Sequence, residues 1–348
     1  MQRRMNEAIA YIRKALVAMA VTAWSVCAAA ETTSVPVPDG GPEPVPVEEV
    51  LVTGQQPGPG LWKVTRPGDA SGHVLWILGT HGPLPRKLEW RSRELEDALA
   101  GAQQVIGPVA MDAKVGPLGG ITLLPSLIGI RDNPDGLRLE DVVPADLYAR
   151  WLPLKERYIG RDSDVEGWRP IFAAQKLYES ALRKSGLERS GVIWPAVEKL
   201  ARKSKVPVTE PEVEIRVDKP RAAIKDFKRT PLDDLDCFAK TIERLESDLN
   251  LMRERANAWA TGDVRRLREL THVDNASACI AVVMNAQVVQ ERGYTDWPAR
   301  RAAAWVAVAE RALAQNVSTV AVLPIEQILK PDGFVGQLRA KGYDVEDP

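Results

Sequence analysis

Histidine and cysteine are scarce in this chain of 348 residues, which contains three of each. A zinc site built from three histidines would need His73, His81 and His272 together, which argues against most classical zinc enzymes. Several catalytic and nucleotide-binding motifs are also missing. The sequence has no Gly-x-Ser-x-Gly turn, no P-loop, no His-Glu-x-x-His helix, no paired Cys-x-x-Cys and no Gly-x-Gly-x-x-Gly after a strand.

An excess of basic charge is missing as well. The chain carries 46 Lys plus Arg against 47 Asp plus Glu, which argues against a nucleic-acid binder. Hydrophobic residues make up 45% of the chain and charged residues 27%. This composition is typical of a globular protein and excludes collagen, a coiled-coil rod, a disordered polymer and a polytopic membrane protein.

The first thirty residues have the pattern of a secretory signal peptide. Basic residues up to Lys14 precede an uncharged run from Ala15 to Ala30, which closes with three alanines. The alternative is a membrane anchor, but sixteen uncharged residues fall short of the ~20 that cross a bilayer. We therefore predict cleavage after Ala30, a periplasmic location, and no transmembrane span in the mature chain.

The mature chain is predicted to begin with a tether and continue as one domain. Twelve of the thirty residues from 31 to 60 are Pro or Gly, so this segment predicts an extended linker. Residues 61–348 form the predicted domain.

Short apolar segments near both ends of the domain predict strands around a helical middle. Leu61–Val64 and His73–Thr80 predict a β-hairpin, because Pro67-Gly68-Asp69 supplies a turn between them. Further strands are predicted at 104–109, 206–209, 319–322 and 343–345. The predicted fold class is α/β, with a central mixed β-sheet formed by N- and C-terminal segments and a large helical insertion.

The region from 231 to 315 is predicted to be nearly all helical. Apolar residues from Leu235 to Trp259 recur at alternating spacings of three and four, which predicts one long helix ending near Gly262. Helices at Ala276–Arg292 and Pro298–Gln315 are predicted to follow. The apolar stripe is interpreted as a packing face rather than a cofactor site.

Two cysteines remain in the mature chain, Cys237 and Cys279. Since an export compartment permits disulfides, we predict that they pair and connect the starts of two helices. The alternative is two buried free thiols.

Two predicted strand ends carry the only local candidates for chemistry. His81 follows the strand that ends at Thr80, and Glu326 follows the strand near the C-terminus. One imidazole and one carboxylate can do weak acid/base work or hold a metal with low affinity. The alternative is that His81 is a loop residue and Glu326 an exposed carboxylate at a helix start. His73 and His272 are interpreted as structural.

Several short segments, taken in order, resemble the TraB/GumN family, which is related to the TIKI metalloproteases and erythromycin-esterase-like proteins. The resemblance covers Leu61 to Val345. The similar segments are Leu61-Trp62-Lys63-Val64, Leu75-Trp76-Ile77-Leu78-Gly79-Thr80, Trp90, Glu166-Gly167-Trp168-Arg169-Pro170, Arg255-Ala256-Asn257-Ala258-Trp259-Ala260-Thr261-Gly262-Asp263, Pro331-Asp332-Gly333-Phe334, Leu338 and Lys341-Gly342-Tyr343-Asp344-Val345.

The resemblance implies a metal-hydrolase site made of two Gly-x-x-His motifs and an acidic residue after the first helix, which would activate a metal-bound water. The sequence departs from this pattern at each position. Counting from Gly79, the first histidine position is Gly82, and His81 lies one residue early. The acidic position near Val105-Ile106 corresponds to Gly107, with Asp112 the nearest carboxylate, while the second motif has Leu323 for its glycine and Glu326 for its histidine.

We therefore expect an exported TraB/GumN-like protein that lacks the metal-hydrolase site, needs no cofactor, and binds or scaffolds an unidentified periplasmic or envelope ligand. The alternative is a metal-dependent hydrolase or peptidase with a rearranged site around His81, Glu326 and Asp112. Under that alternative alone, a divalent metal is required.

Overall fold

The computed structural model describes residues 58–68, 71–114, 119–247, 249–270 and 274–348. The predicted signal peptide, nearly all of the predicted linker, and His272 lie outside the described residues. The described residues combine a mixed sheet with many helices, which confirms the α/β class. None of the helices in the described part of the chain is long and apolar enough to cross a membrane.

A six-stranded mixed sheet forms the centre of the domain. Its strand order is β10-β1-β2-β9-β4-β7, and two pairs, β3-β6 and β5-β8, form separate two-stranded sheets. Five strands of the large sheet come from the two ends of the domain and β7 comes from the middle, so the predicted sheet is confirmed. The strands are β1 (Leu61–Thr65), β2 (Val74–Thr80), β3 (Leu84–Pro85), β4 (Gln104–Ile106), β5 (Ala110–Lys114), β6 (Leu187–Glu188), β7 (Val208–Thr209), β8 (Glu212–Arg216), β9 (Ser318–Pro324) and β10 (Asp344–Glu346).

Strand direction divides the sheet into two parts. β1 pairs antiparallel with both β2 and β10, as the predicted hairpin requires. β2, β9, β4 and β7 are parallel neighbours, so all four end at the same edge of the sheet. β9 lies inside this parallel part, and its residues Val320 to Leu323 are all buried, as expected for a strand covered on both faces.

Helices cover the sheet and build the insertion between β4 and β9. They are α1 (Arg93–Ala100), α2 (Gly119–Leu127), α3 (Leu139–Val142), α4 (Ala145–Tyr158), α5 (Pro170–Lys184), α6 (Ile193–Lys203), α7 (Pro220–Arg229), α8 (Leu235–Ser247), α9 (Leu249–Ala260), α10 (Val264–Glu269), α11 (Asn275–Asn285), α12 (Gln287–Glu291), α13 (Trp297–Gln315), α14 (Ile325–Leu329) and α15 (Phe334–Ala340).

The buried apolar residues form two cores. The first packs around the sheet and includes Trp62, Ile77 and Trp305. The second lies within the helical insertion and includes Trp151, Leu177 and Phe238. The insertion therefore has its own packed interior, although it interrupts the sheet in sequence.

The segment predicted as one long helix from Leu235 to Gly262 is helical over α8 and α9, on either side of residue 248, which lies outside the described residues. The apolar stripe changes partner along its length. Phe238 and Met252 pack in the insertion core, whereas Ala256 and Trp259 pack in the sheet core. The predicted helix at Ala276–Arg292 is divided into α11 and α12, because Ala286 between them is extended.

The predicted disulfide is present. Cys237 in α8 and Cys279 in α11 are joined, with their Cα atoms 4.6 Å apart. The bond lies in the helical insertion, far along the chain from the strand ends that carry the candidate residues.

Candidate functional site

The carboxyl ends of the four parallel strands form the candidate site. Ligands of open α/β sheets bind in the crevice beyond this edge, since the loops that follow the strands meet there. The residues that follow the strands are His81 after β2, Glu326 after β9, Gly107 after β4 and Glu210 after β7. The first two are the predicted candidates, and the sheet order makes their strands neighbours.

His81 and Glu326 extend from paired backbones. Thr80 at the end of β2 pairs with Pro324 at the end of β9, so His81 lies one residue past this pair and Glu326 two residues past it. His81 lies in the loop that follows β2 and is only 9% exposed. Glu326 lies in the first turn of α14, where the alternative expected a carboxylate, but it is half-buried rather than exposed.

Asp112 does not join these residues in the large sheet. It lies in β5, which pairs with β8 in a separate two-stranded sheet beyond the ends of β4 and β7. Its carboxylate forms an ion pair with Lys114 in the same strand. Within the described ranges, no three His, Cys, Asp or Glu side chains form a group that can hold a metal ion.

Glu210 is a carboxylate at this edge that the sequence reading missed. A Cβ atom built on Gly107 would lie 3.1 Å from Cγ of Glu210, so the Glu210 side chain reaches the end of β4. The signal was available, because Glu210 directly follows the predicted strand at 206–209. It was missed because its neighbour Gly107 is about a hundred positions away in sequence.

Tryptophans support the end of β2. The Nε1 of Trp259 in α9 donates a hydrogen bond of 2.6 Å to the carbonyl oxygen of Gly79. Trp90 packs edge-on against Trp259, with ring centroids 5.5 Å apart. A Cβ on Gly79 would lie 2.8 Å from the ring of Trp62, so glycine is required for this close approach. These contacts hold the backbone that leads into His81.

One family model relates the chain to known proteins. The model of the TraB/PrgY/gumN family matches residues 60–347. The chain belongs to the TraB/PrgY/gumN family. No curated protein and no solved structure matches it. The match covers essentially all of the described domain, so the strand edge and the helical insertion are both parts of a TraB/PrgY/gumN domain.

Two of the three positions that correspond to ligands in the TraB/GumN pattern, Gly82 and Gly107, are closed to side chains, and the third holds Glu326. A Cβ on Gly82 would lie 2.3 Å from the carbonyl oxygen of Arg189, which is backbone and cannot turn away. A Cβ on Gly107 would lie 2.8 Å from the ring of Trp194. At the second motif, Leu323 is buried within β9. The residues present therefore do not fit the metal set that the resemblance implied.

A second TraB/GumN-like segment, Glu166 to Pro170, lies in the helical insertion and serves packing. The buried carboxylate of Glu166 accepts hydrogen bonds of 3.2 Å from Trp151 Nε1 and from the hydroxyl of Tyr148, and it lies 3.0 Å from Nζ of Lys155. Burial, together with the charge of Glu166, raises the pKa of Tyr148 to about 12. Tyr148 therefore remains a neutral donor at physiological pH.

Arg169 in the same segment connects three parts of the insertion. Its guanidinium donates to the carbonyl oxygens of Phe227, Lys228 and Thr230 at the end of α7, and to that of Asp132. These bonds satisfy carbonyl groups that a helix end leaves without partners. Arg169 is buried, and desolvation lowers its pKa, although the carboxylate of Asp234 opposes this shift.

Asp234 is the counterpart of Arg169 at the start of α5. Its carboxylate accepts a hydrogen bond of 2.9 Å from the backbone N–H of Ile171, near the positive end of the α5 dipole. Desolvation by burial nevertheless raises the pKa of Asp234 to about 6, against the hydrogen bonds and the charge of Arg169, which lower it. The polar groups of the insertion are thus bonded to one another and to helix ends.

Proposed function

We propose that this TraB/PrgY/gumN protein is exported to the periplasm, lacks the hydrolase chemistry of the TraB/GumN pattern, and acts by binding or scaffolding an envelope ligand. One observation carries the proposal. The two positions that would supply the first histidine and the acidic residue are glycines, and the space for a side chain at each is filled by the Arg189 carbonyl and the Trp194 ring. No single substitution restores a ligand there without moving its neighbour.

A metal-binding measurement tests the proposed absence of the metal-hydrolase site. Purified mature protein is equilibrated with Zn²⁺, Mn²⁺ or Co²⁺, separated from free metal, and analysed for metal per chain. We expect far less than one ion per chain, because one imidazole and one carboxylate make a weak site. Hydrolysis of an unstructured peptide substrate, measured in the same samples, should not exceed the buffer background.

Two variants and a control identify the source of any bound metal. His81→Ala and Glu326→Gln remove the candidate ligands, and His73→Ala removes a histidine whose Nδ1 lies 2.9 Å from the Leu313 carbonyl oxygen, away from this edge. One ion per chain that is lost in the first two variants and kept in the third contradicts the proposal. That result supports the alternative of a metal-dependent hydrolase, which the neighbouring strand ends of His81 and Glu326 favour.

Export is tested separately. Cell fractionation should place the protein in the periplasm, and mass spectrometry of the purified protein should give a chain that begins at residue 31. A chain that retains residues 1–30 and stays with the membrane pellet contradicts the signal-peptide prediction and supports an anchor instead.

A further inference from the structure

An uncharged stretch of sixteen residues, 115–130, lies between Lys114 and Arg131. Its described part contains α2 and the turn after it. Leu123 is buried, whereas Leu124 is 52% exposed and Ile128 is 77% exposed. Leu124 and Ile128 are four residues apart, so they lie on the same side of the helical segment, with exposed Pro125 between them. The end of α2 and the turn after it therefore expose two aliphatic side chains to solvent, whereas the neighbouring Leu123 is buried.

The helix packed against α2 is strongly basic. α2 contacts α7, and Nζ of Lys228 in α7 donates to the carbonyl oxygen of Ile128. α7 carries Arg221, Lys225, Lys228 and Arg229 and a single acidic residue, Asp226. The exposed residues Lys225 and Arg229 form no ion pair within the described part of the chain, and Asp226 is already paired with Arg292.

We propose that the exposed aliphatic residues of α2 and the basic residues of α7 form one surface, the α2–α7 surface, that binds the interface of an anionic lipid membrane. Leu124 and Ile128 would enter the boundary between headgroups and acyl chains, and Lys225 and Arg229 would contact anionic headgroups. This combination of an apolar face and a basic face is the one that interfacial helices use. Each basic residue close to an anionic leaflet adds attraction that salt weakens.

The geometry favours an interfacial position over a spanning one. α2 has nine residues, which at 1.5 Å per residue gives a length of about 14 Å. The hydrocarbon core of a bilayer is about 30 Å thick, so α2 is too short to cross it and lies in the interface. The basic helix beside it keeps its charged groups in the headgroup layer, because buried charge in hydrocarbon is costly.

Charge also favours a lipid surface over a second copy of this chain. A twofold contact places the same patch of each copy against the other. The α2–α7 surface would then bring Lys225 and Arg229 of one copy towards the basic residues of the other, which is repulsive. An anionic membrane supplies the opposite charge and an apolar layer together.

Vesicle binding tests this proposal. Mature protein is sedimented with large unilamellar vesicles of pure phosphatidylcholine, or of phosphatidylcholine with about one third phosphatidylglycerol, at low and at high salt. We expect binding to the vesicles that contain phosphatidylglycerol, and weaker binding at high salt. Leu124→Ser with Ile128→Ser should lower the partition coefficient about tenfold or more, and Lys225→Gln with Arg229→Gln should lower it to a similar extent on the anionic vesicles.

Matched controls separate this surface from general effects. Val317→Ser removes an aliphatic side chain that is 59% exposed two residues after the end of α13, a helix about 28 Å long whose start contacts β8 through Arg300. Lys199→Gln with Lys203→Gln removes two exposed charges from α6. Both controls should bind vesicles as the wild type does, and circular dichroism should show that all variants remain folded.

Three outcomes overturn the proposal. The wild type fails to sediment with anionic vesicles, or the controls lose as much binding as the test variants, or the test variants bind as well as the wild type. Sedimentation velocity distinguishes an anionic membrane from a second copy of the chain as the partner of this surface. Dimerisation that Leu124→Ser with Ile128→Ser abolishes, without any vesicle binding, assigns the surface to a second copy of the chain instead.

Discussion

The strand edge and the helical insertion differ in the residues that occupy the positions similar to the TraB/GumN pattern. In the insertion, the charged residues of the Glu166–Pro170 segment are buried and bonded to helix ends and to other side chains. At the strand edge, two positions of the TraB/GumN ligand pattern are glycines, where an added Cβ would collide with a backbone carbonyl and a tryptophan ring. A likeness to the family in the insertion therefore reports on architecture, whereas the proposed loss of the metal-hydrolase site concerns the strand edge. The following predictions test this difference, beginning with the largest effect.

Arg169→Met should be the most destabilising single change in this set. It removes the donors to four carbonyl oxygens and the positive charge near Asp234, leaving buried acceptors without partners. We expect the free energy of unfolding, measured with denaturant, to fall by about 3–5 kcal/mol. Glu326→Gln at the strand edge is the comparison, and it should lower the free energy of unfolding by less than about 1 kcal/mol. Equal losses in the two variants would remove the distinction between the regions.

Removal of the Cys237–Cys279 disulfide should also affect the insertion strongly. The two cysteines are 42 positions apart, and the chain-entropy model gives an upper value of about 4 kcal/mol for a loop of this size. We expect Cys237→Ala with Cys279→Ala to lower the free energy of unfolding by about 2–4 kcal/mol. Titration of denatured, unreduced mature protein should find no free thiol. Two free thiols would show that the bond does not form in solution.

Asp234 should make stability depend on pH in the acidic range. Its pKa is raised from 3.8 to about 6 in the folded protein, so the folded state holds the proton more tightly than the unfolded state. Protonation then stabilises the fold below pH 6, and this contribution is lost as the pH rises. Between pH 4.5 and 7, the free energy of unfolding of the wild type should fall by about 2 kcal/mol relative to Asp234→Asn.

A surface carboxylate provides the control for that measurement. Asp146→Asn removes an exposed carboxylate from the first turn of α4 in the same insertion. The difference in free energy of unfolding between Asp146→Asn and the wild type should change by less than about 0.5 kcal/mol over the same pH range. If the free energy of unfolding of Asp234→Asn still falls by the same amount between pH 4.5 and 7, another group causes the pH dependence.

The sequence predicted the secondary structure better than it predicted which core each element joins. β2 and β9 are continuous apolar runs near the two ends of the domain, and such runs indicate buried strands whatever packs on them. The stripe from Leu235 to Trp259 lies in residues that are helical on both sides of residue 248, as its spacing predicts. Nothing local in that pattern reveals that Met252 faces the insertion core and Ala256 the sheet core.

The candidate site was predictable in position but not in its surroundings. The ends of predicted strands indicated His81 and Glu326, and the parallel pairing of β2 with β9 brings their backbones to one edge. The closure of Gly82 by Arg189 and of Gly107 by Trp194 depends on contacts between segments about a hundred residues apart. Periodicity and motif spacing carry no information about such contacts, and for the same reason Glu210 was missed.

Trp259→Phe should have the smallest effect of the set, and it tests whether the strand edge is a supported surface. The variant keeps a ring against Trp90 but loses the N–H that donates to the Gly79 carbonyl oxygen. One buried acceptor without its partner should cost about 1–2 kcal/mol of unfolding free energy. Hydrogen exchange should quicken in β2 more than in α5, because the lost bond belongs to the end of β2. Equal quickening in both elements would mean that Trp259 stabilises the whole domain rather than the edge that carries His81.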